Sequence, residues 1–382
     1  MKRFVVSLLL SVVAVAEVAG QSKAVSLQFS GRTELTGFVA ADSPAWLIRS
    51  TRTFAAPRLS ANAELFAGRL YGFFELRGDR GEVPSDSSLE LRLEQAFLRL
   101  GLTRVFSLQA GRFITPFGNF PQRSHTTADP FIRPPINYDY RTTISRLNVP
   151  RDVARFLEWK DEPHNFRKIG APIVWAVPYQ LGAALFATAG GLDARVAALT
   201  SAPSSEPDAW TRLDNFGPSF LARVTWQLVP ELQIGGSFDR GPYLDRDIEP
   251  LMRAASFDPA DFVQQIIGFE FTATRALFEL RGELLFDRWQ LARVSPDPTD
   301  LSFYLEGKYK LLPGLAAAAR YGRIDFSTVQ GQPWDYDIQR WQFGVMYQPA
   351  RRFELRGEFM LNKGGKADPN DNLFALQAAI IL

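Results

Sequence analysis

Cysteine is absent from the 382 residues, and histidine occurs only twice. The first absence removes disulfides, on which small secreted domains depend for stability, and removes the thiol that a lipoprotein anchor needs. The second leaves His125 and His164 as the whole supply of imidazole bases. Serine hydrolysis requires a histidine beside a serine, oriented by an acid. Ser124 adjoins His125 in the chain, but there is no Gly-x-Ser-x-Gly elbow and no His-Glu-x-x-His zinc motif. The chain therefore reads as a non-enzyme, with no cofactor and no metal. A strong charge of one sign is also missing, since 43 basic residues stand against 41 acidic ones. That balance argues against a nucleic-acid partner.

Long apolar runs are confined to the start. Lys2 and Arg3 precede an apolar stretch from Phe4 to Ala16, broken only by Ser7 and Ser11, and Val18-Ala19-Gly20 places small residues before Gln21. This predicts a cleaved secretory signal peptide over residues 1–20, because the run is shorter than the ~20 apolar residues of a membrane-spanning helix. Without Lys2, Arg3 and Glu17, the 43 basic and 41 acidic residues become 41 and 40. Polar residues interrupt every later apolar run, and mean hydropathy is −0.10. A secreted soluble protein fits these facts. So does a membrane β-barrel whose strands alternate lipid-facing and water-facing residues. The inventory of 31 Phe and 8 Trp suits the aromatic girdles of such a barrel.

Period-2 alternation marks strands with one apolar and one wet face, and it recurs through most of residues 21–382. In Phe353–Leu361, Phe353, Leu355, Gly357, Phe359 and Leu361 share one face; Glu354, Arg356, Glu358 and Met360 share the other. Phe303–Leu311 puts Glu306, Lys308 and Lys310 on its wet face, Phe278–Phe286 puts Glu279, Arg281 and Glu283 there, and Leu89–Leu93 continues Glu90, Arg92 and then Glu94. One motif is written three times: Phe74-Glu75-Leu76-Arg77-Gly78-Asp79, Phe278-Glu279-Leu280-Arg281-Gly282-Glu283 and Phe353-Glu354-Leu355-Arg356-Gly357-Glu358.

Connections alternate short and long, which is the signature of outer-membrane barrels and is not expected of a soluble sandwich. Short ones fall at Ala67-Gly68, Gly101–Arg104, Gly190–Asp193, Val229–Glu231, Thr274-Arg275, Leu312–Gly314 and Pro349–Arg351. The intervening strands are predicted at 24–39, 57–66, 69–79, 88–100, 105–113, 171–189, 194–202, 215–228, 232–240, 261–273, 276–288, 300–311, 315–326, 338–348, 352–363 and 371–382. This gives an all-β, transmembrane antiparallel barrel of about 16 strands, with both termini at the short-turn end. Such a barrel leaves an aqueous channel. A gated receptor with an N-terminal plug needs about 22 strands and a longer chain. The last strand alternates to the final residue through Phe374, Leu376, Ala378, Ile380 and Leu382, as a strand closing on the first should.

The connection 114–170 exceeds all others, and long connections in compact domains are usually functional or disordered. It carries Arg123, Arg133, Arg141, Arg146, Arg151, Arg155, Lys160, Arg167 and Lys168 against Asp129, Asp139, Asp152, Glu158, Asp161 and Glu162. It opens with Gly111-Arg112-Phe113-Ile114-Thr115-Pro116-Phe117-Gly118, which resembles the Gly-x-Phe-x-x-Pro-Phe-Gly signature of the phosphate-selective porin O/P family. The resemblance implies a homotrimeric sixteen-stranded porin of the bacterial outer membrane, in contact with outer-membrane lipid. It also implies that the loop after strand 5 folds inward to narrow the channel. Arg123, Arg133, Arg141, Arg146, Arg151 and Arg155 are then the expected constriction and solute-binding residues, facing wall carboxylates across a narrow passage. Expected lumen-wall cations are Arg77, Arg92, Arg281, Lys308, Arg340 and Arg356. The function expected is passive diffusion of small hydrophilic, anionic (phosphate-like) solutes. The strand walls carry both charge signs, and arginine greatly outnumbers lysine, whereas members tuned for phosphate rely on lysine. The alternative is a structural or adhesive barrel with an occluded lumen, which a dense network of fixed ion pairs would favour. Three Asp-Pro-x-Asp segments, at 258–261, 297–300 and 368–371, read as turn chemistry rather than calcium sites.

Overall fold

The structure is a computed structural model that describes residues 25–40, 53–79, 90–124, 129–161, 170–206, 216–364 and 372–382. Both histidines, Arg167, Lys168, the signal segment and the third Asp-Pro-x-Asp copy lie outside the described residues. Sixteen antiparallel strands close into one barrel. They are β1 (Val25–Ala40), β2 (Thr53–Ala67), β3 (Leu70–Asp79), β4 (Glu90–Gly101), β5 (Phe106–Ile114), β6 (Tyr179–Ala189), β7 (Leu192–Leu199), β8 (Ser219–Val229), β9 (Leu232–Pro242), β10 (Val263–Arg275), β11 (Phe278–Trp289), β12 (Thr299–Leu312), β13 (Leu315–Phe326), β16 (Ile338–Ala350), β17 (Phe353–Lys363) and β18 (Leu373–Ile381). β14 (Thr328–Val329) and β15 (Gln332–Pro333) form a separate hairpin in one long connection. β18 pairs with β1 from Arg32↔Ile381 to Ala40↔Leu373. This closure leaves no sheet edge.

The barrel is apolar outside and charged inside. On β17, Phe353, Leu355 and Phe359 are exposed while Glu354, Arg356 and Glu358 are buried. The same sorting holds on β12, with Leu301 and Leu305 outward and Asp300, Glu306 and Lys308 inward. Burial here means enclosure within the barrel, against neighbouring wall side chains and an inner loop.

On β4 the phase changes. Glu75 faces Gln95 and Leu76 faces Leu93, so Glu94 is the extra residue of a bulge. A bulge inserts one unpaired residue and bends its strand, and Glu94, only 3% exposed, stays among the inward residues. Two sequence boundaries need correction. The β10–β11 turn is at Ala276-Leu277, because Arg275 and Phe278 still pair; Ala276 takes φ 52° there. β6 begins at Tyr179, eight residues later than 171. The stretch before it bonds to loop segments instead of to a strand, with Ala171 N donating to Ile144 O at 2.5 Å within the same connection and Trp175 N to Pro203 O at 2.9 Å in the β7–β8 connection.

Gly111 sits where β5 is squeezed between its neighbours. It has φ +130°, and a Cβ would lie 2.3 Å from Ala96 O and 2.7 Å from Phe97 Cα. Gly111→Ala should therefore destabilise the barrel by about 1–3 kcal/mol through forced backbone movement. Gly37→Ala, with nothing within 4 Å of its Cβ, should stay within about 0.5 kcal/mol. Urea titration of the refolded protein, read by compact electrophoretic mobility, checks the difference; equal midpoints would refute it.

Candidate functional site

The connection between β5 and β6 runs from Thr115 to Pro178, and Thr115 N donates to Pro178 O at 2.8 Å across its neck. Its described residues form only short helical turns, Phe120–Arg123, Ile136–Asp139, Val153–Glu158 and the 3-10 turn Trp159–Asp161. Most of its backbone amides therefore need partners from elsewhere. Wall carboxylates supply several of them. Glu283 on β11 accepts from Asn119 N at 2.6 Å and Phe120 N at 2.7 Å. Glu358 on β17 accepts from Ile132 N at 2.6 Å and Arg133 N at 2.7 Å. Asp335, in the β13–β16 connection, accepts from Thr143 N at 2.8 Å. Hydrogen bonds to ionised acceptors are roughly twice as strong as neutral ones, so each carboxylate acts as a latch on the loop. Glu283 and Glu358 are the last residues of two of the three motif copies. The third copy ends in Asp79, which pairs with Arg77 at 2.6 Å and Arg58 at 3.8 Å instead.

The loop arginines separate into two groups. Arg123 grips Glu306 of β12 with both terminal nitrogens, at 3.0 and 2.9 Å. Arg320 of β13 binds the same carboxylate at 2.8 Å. Arg133 pairs with Asp139, which also receives Arg340 of β16 at 2.7 Å. Arg141 lies 3.8 Å over the Trp175 ring, and Arg146 binds Glu206, with Asp245 at 3.7 Å. Arg151 is 80% exposed beside Asp152, and Arg155 pairs with Glu158 at 3.0 Å on an outer helix. Arg123 and Arg133 thus sit in direct contact with carboxylates, with no passage between them and their partners, and the six arginines do not converge on one point.

The remaining wall cations lie on inward faces, as the alternation predicts. Arg281 pairs with Glu279 and lies 3.8 Å from Glu306, and Lys308 binds Glu279 at 2.8 Å. Across the lumen, one chain of alternating charge crosses the barrel seam. Arg356 meets Glu354 at 2.7 Å; Glu354 meets Arg32 at 2.9 Å; Arg32 meets Glu34 at 2.6 Å; Glu34 meets Arg58 at 3.3 Å. Through Asp79, Arg58 is linked to Arg77, which lies 3.5 Å from Glu94. Arg92 pairs with Glu90 beside it. A small cleft beside this wall is lined by Thr36, Arg58, Asp79, Gln377 and loop residue Ile132, which also packs against Phe38. The arginines stand nearer to water than their partners. Side-chain exposure is 31% for Arg58 and 15% for Arg32 and Arg77, against 10% for Glu34, 6% for Asp79 and 1% for Glu354. Arg58 was absent from the sequence-predicted set, although Arg58-Leu59-Ser60-Ala61-Asn62-Ala63-Glu64 alternates and could have revealed it.

Over β9–β16 the outer connections pack into an aromatic roof. Phe156 stacks on Trp334 at 6.1 Å, Trp334 meets Phe326 at 4.8 Å, and Tyr243 meets Trp289 at 5.0 Å. The Asp-Pro-x-Asp segments there behave as turns. Asp258 accepts from Ala260 N at 2.9 Å, and Asp297 holds Arg288 at 2.6 Å. Among the described residues no group of three or more His, Cys, Asp or Glu could hold a metal ion.

Glu358→Ala should free the amides of Ile132 and Arg133, each costing about 1–3 kcal/mol when left unpaired and buried. Their hydrogen exchange should accelerate about tenfold or more while strand amides hold; unchanged exchange would refute the latch. Burial pushes the Asp139 carboxyl up, but Arg133 and Arg340 outweigh it and hold it below the usual aspartate range. A depressed folded-state value means the contribution is complete above the unfolded value of about 3.9 and is lost as pH falls through the folded one. Proteolytic protection of the loop should therefore be equal at pH 7 and pH 5 and weaken only below about pH 4; loss by pH 5 would remove Asp139 as an anchor.

No family model and no curated protein matches the chain. Solved structures match it along nearly their whole length. The Salmonella typhi OmpF complex with daunomycin aligns with a TM-score of 0.59 at 12% identity, covering 94% of this chain and 98% of that one. In-vitro folded OmpT, an outer membrane protein of Vibrio cholerae, gives 0.57 at 10% identity over 96% and 100%. A mutant of the Rh. blastica porin gives 0.51 at 12% over 93% and 100%. At such identities the likeness establishes the closed sixteen-stranded porin-type barrel, and the phosphate-selective resemblance gains no separate support from it.

Proposed function

We propose that the chain is a porin of the bacterial outer membrane, exported by its signal segment, through which small hydrophilic solutes diffuse passively. An apolar exterior around a charged interior suits a wall with lipid outside and water inside. The loop is latched to β11 and β17, and in this reading solutes pass it along the β2–β4 wall, beyond the packing of Ile132 against Phe38, Ala40 and Leu373. The observation that carries the reading is the exposure order there. Arg32, Arg58 and Arg77 are each more exposed than the carboxylates they pair with, Arg58 most of all at 31%. A surface layer of one sign confers selectivity on a pore, so anions are the preferred solutes, taken up by guanidinium groups suited to carboxylates and phosphates. Homotrimerisation belongs to the same proposal. It is supported by the apolar outward faces of β1 and β18, with Val39, Phe374 and Leu376 exposed, and by a solved trimer form of the fold-related OmpT.

One observation favours the second reading, an occluded structural barrel. Arg123, Arg320, Glu306 and Asp129 form a dense ion-paired knot in the lumen, and such a knot cross-links the interior. A planar-bilayer recording decides between the two. The pore reading expects steady conductance steps and a reversal potential of anion sign in a salt gradient. Joint Arg58→Ala and Arg92→Ala substitution should shift that potential toward cations. Silent bilayers containing folded, inserted protein would establish the occluded barrel, and an anion preference untouched by the double substitution would remove the arginine wall as its source.

A further inference from the structure

The outward surface is not uniform around the barrel. At the long-loop end, the outward positions of β1, β4, β8 and β18 are Val39, Leu91, Phe220 and Phe374, all exposed and apolar. On β9–β13 the corresponding level is polar. Arg240 on β9 follows exposed Phe238 and buried Asp239, so it points away from the lumen. In register it faces Gln265 of β10, which in turn faces Arg288 of β11. Farther round, Arg323 on β13 is outward but closed on Asp325 at 2.7 Å.

Arg288 is already engaged by Asp297 at 2.6 Å, yet its side chain remains 47% exposed. Arg240 is exposed and has no ion pair among the described residues. A cation without a counterion is ordinary in water. Here it stands at the margin of an apolar band, directly above Phe238, with Phe220 beside it at 61% exposure. The next rows down are also apolar, with Phe286 at 46% and Phe269 at 61% exposure. One strand, β10, lies between Arg240 and Arg288, so they stand two inter-strand spacings apart, or about 10 Å. Guanidinium groups bind phosphate oxygens in forked pairs, and that interval admits one phosphate headgroup between them.

We propose that Arg240, Gln265 and Arg288 form a binding site for the phosphate headgroup of a membrane lipid, with its acyl chains lying over Phe238, Ile267 and Phe286. The site reads the outer surface and not the pore. It depends on the membrane-spanning reading but is independent of whether the lumen conducts. Charge complementarity selects an anionic headgroup, and the continuous apolar surface beneath selects a lipid over a free anion.

The test is native mass spectrometry of the full-length folded barrel in neutral detergent, titrated with phosphatidic acid, with phosphatidylcholine of the same chains, and with inorganic phosphate. Retention in the membrane fraction after vesicle reconstitution is scored separately, so failure of the membrane reading is distinguished from failure of the lipid site. Phosphatidic acid should bind more tightly than phosphatidylcholine and resist displacement by inorganic phosphate. Arg240→Gln should weaken it about tenfold or more, and Arg240→Gln with Arg288→Gln should weaken it further. Arg323→Gln, removing an outward cation elsewhere, should leave it unchanged. Equal binding of the two lipids, displacement by inorganic phosphate, undiminished binding by Arg240→Gln, or an equal loss in Arg323→Gln would each overturn the proposal. Arg240 makes no ion pair that its replacement would break, so the single variant keeps the test decisive if the double variant folds poorly.

Discussion

The pairing of β18 with β1 is the constraint on which the rest of this structure depends. A sheet that presents apolar side chains outward cannot leave a row of unsatisfied amides at an edge, because an apolar surrounding offers them nothing. Closure removes the edge and at the same time encloses a space. That space is polar because the pleat sends alternate residues to opposite faces. A chain whose outward residues are Phe, Leu and Val must therefore put its Glu and Arg inside. The inner charges then meet at opposite sign, two residues apart on one strand and across the seam.

The interior is consequently divided. One half holds the loop, fixed by wall carboxylates and by the knot around Glu306. The other half carries the zigzag from Arg356 to Glu94. These halves use the same residue types for different ends. In the first, a carboxylate fully surrounded by donors holds backbone in place. In the second, carboxylates orient arginines while remaining beneath them. Buried charge pairs contribute little net stability once desolvation is counted. Their main effect here is on geometry, since they specify where the loop lies and which atoms meet the water.

Much of this was legible in the sequence because strand alternation is a local property. β17 and β11 could be read residue by residue, whereas the run Glu90, Arg92, Glu94 gave no sign of the bulge that changes the phase at Gln95. The start of β6 was not legible. Residues 171–178 include Val174, Trp175 and Val177 and look like strand, but the amides of Ala171 and Trp175 bond to Ile144 and Pro203, outside any strand. The grip of Glu358 on Ile132 was invisible for the same reason, since it joins positions 226 apart. Alternation placed Glu283, Glu306 and Arg340 on the inner face without revealing that the loop would occupy them. The resemblance set the loop arginines opposite wall carboxylates across a narrow passage, whereas Arg123 and Arg133 are in direct contact with Glu306 and Asp139.

The latches hold amide nitrogens, not side chains. Glu283 and Glu358 bind the backbone at Asn119, Phe120, Ile132 and Arg133. Every residue type except proline offers that same donor. The fastening is therefore indifferent to what side chains the loop displays at those points. The amide latches survive substitution at these four positions, while Arg133 and Phe120 add side-chain anchors of their own, to Asp139 and to the Tyr138 ring. The wall therefore fixes where the loop runs, and the side chains at those points decide how much more firmly it is held.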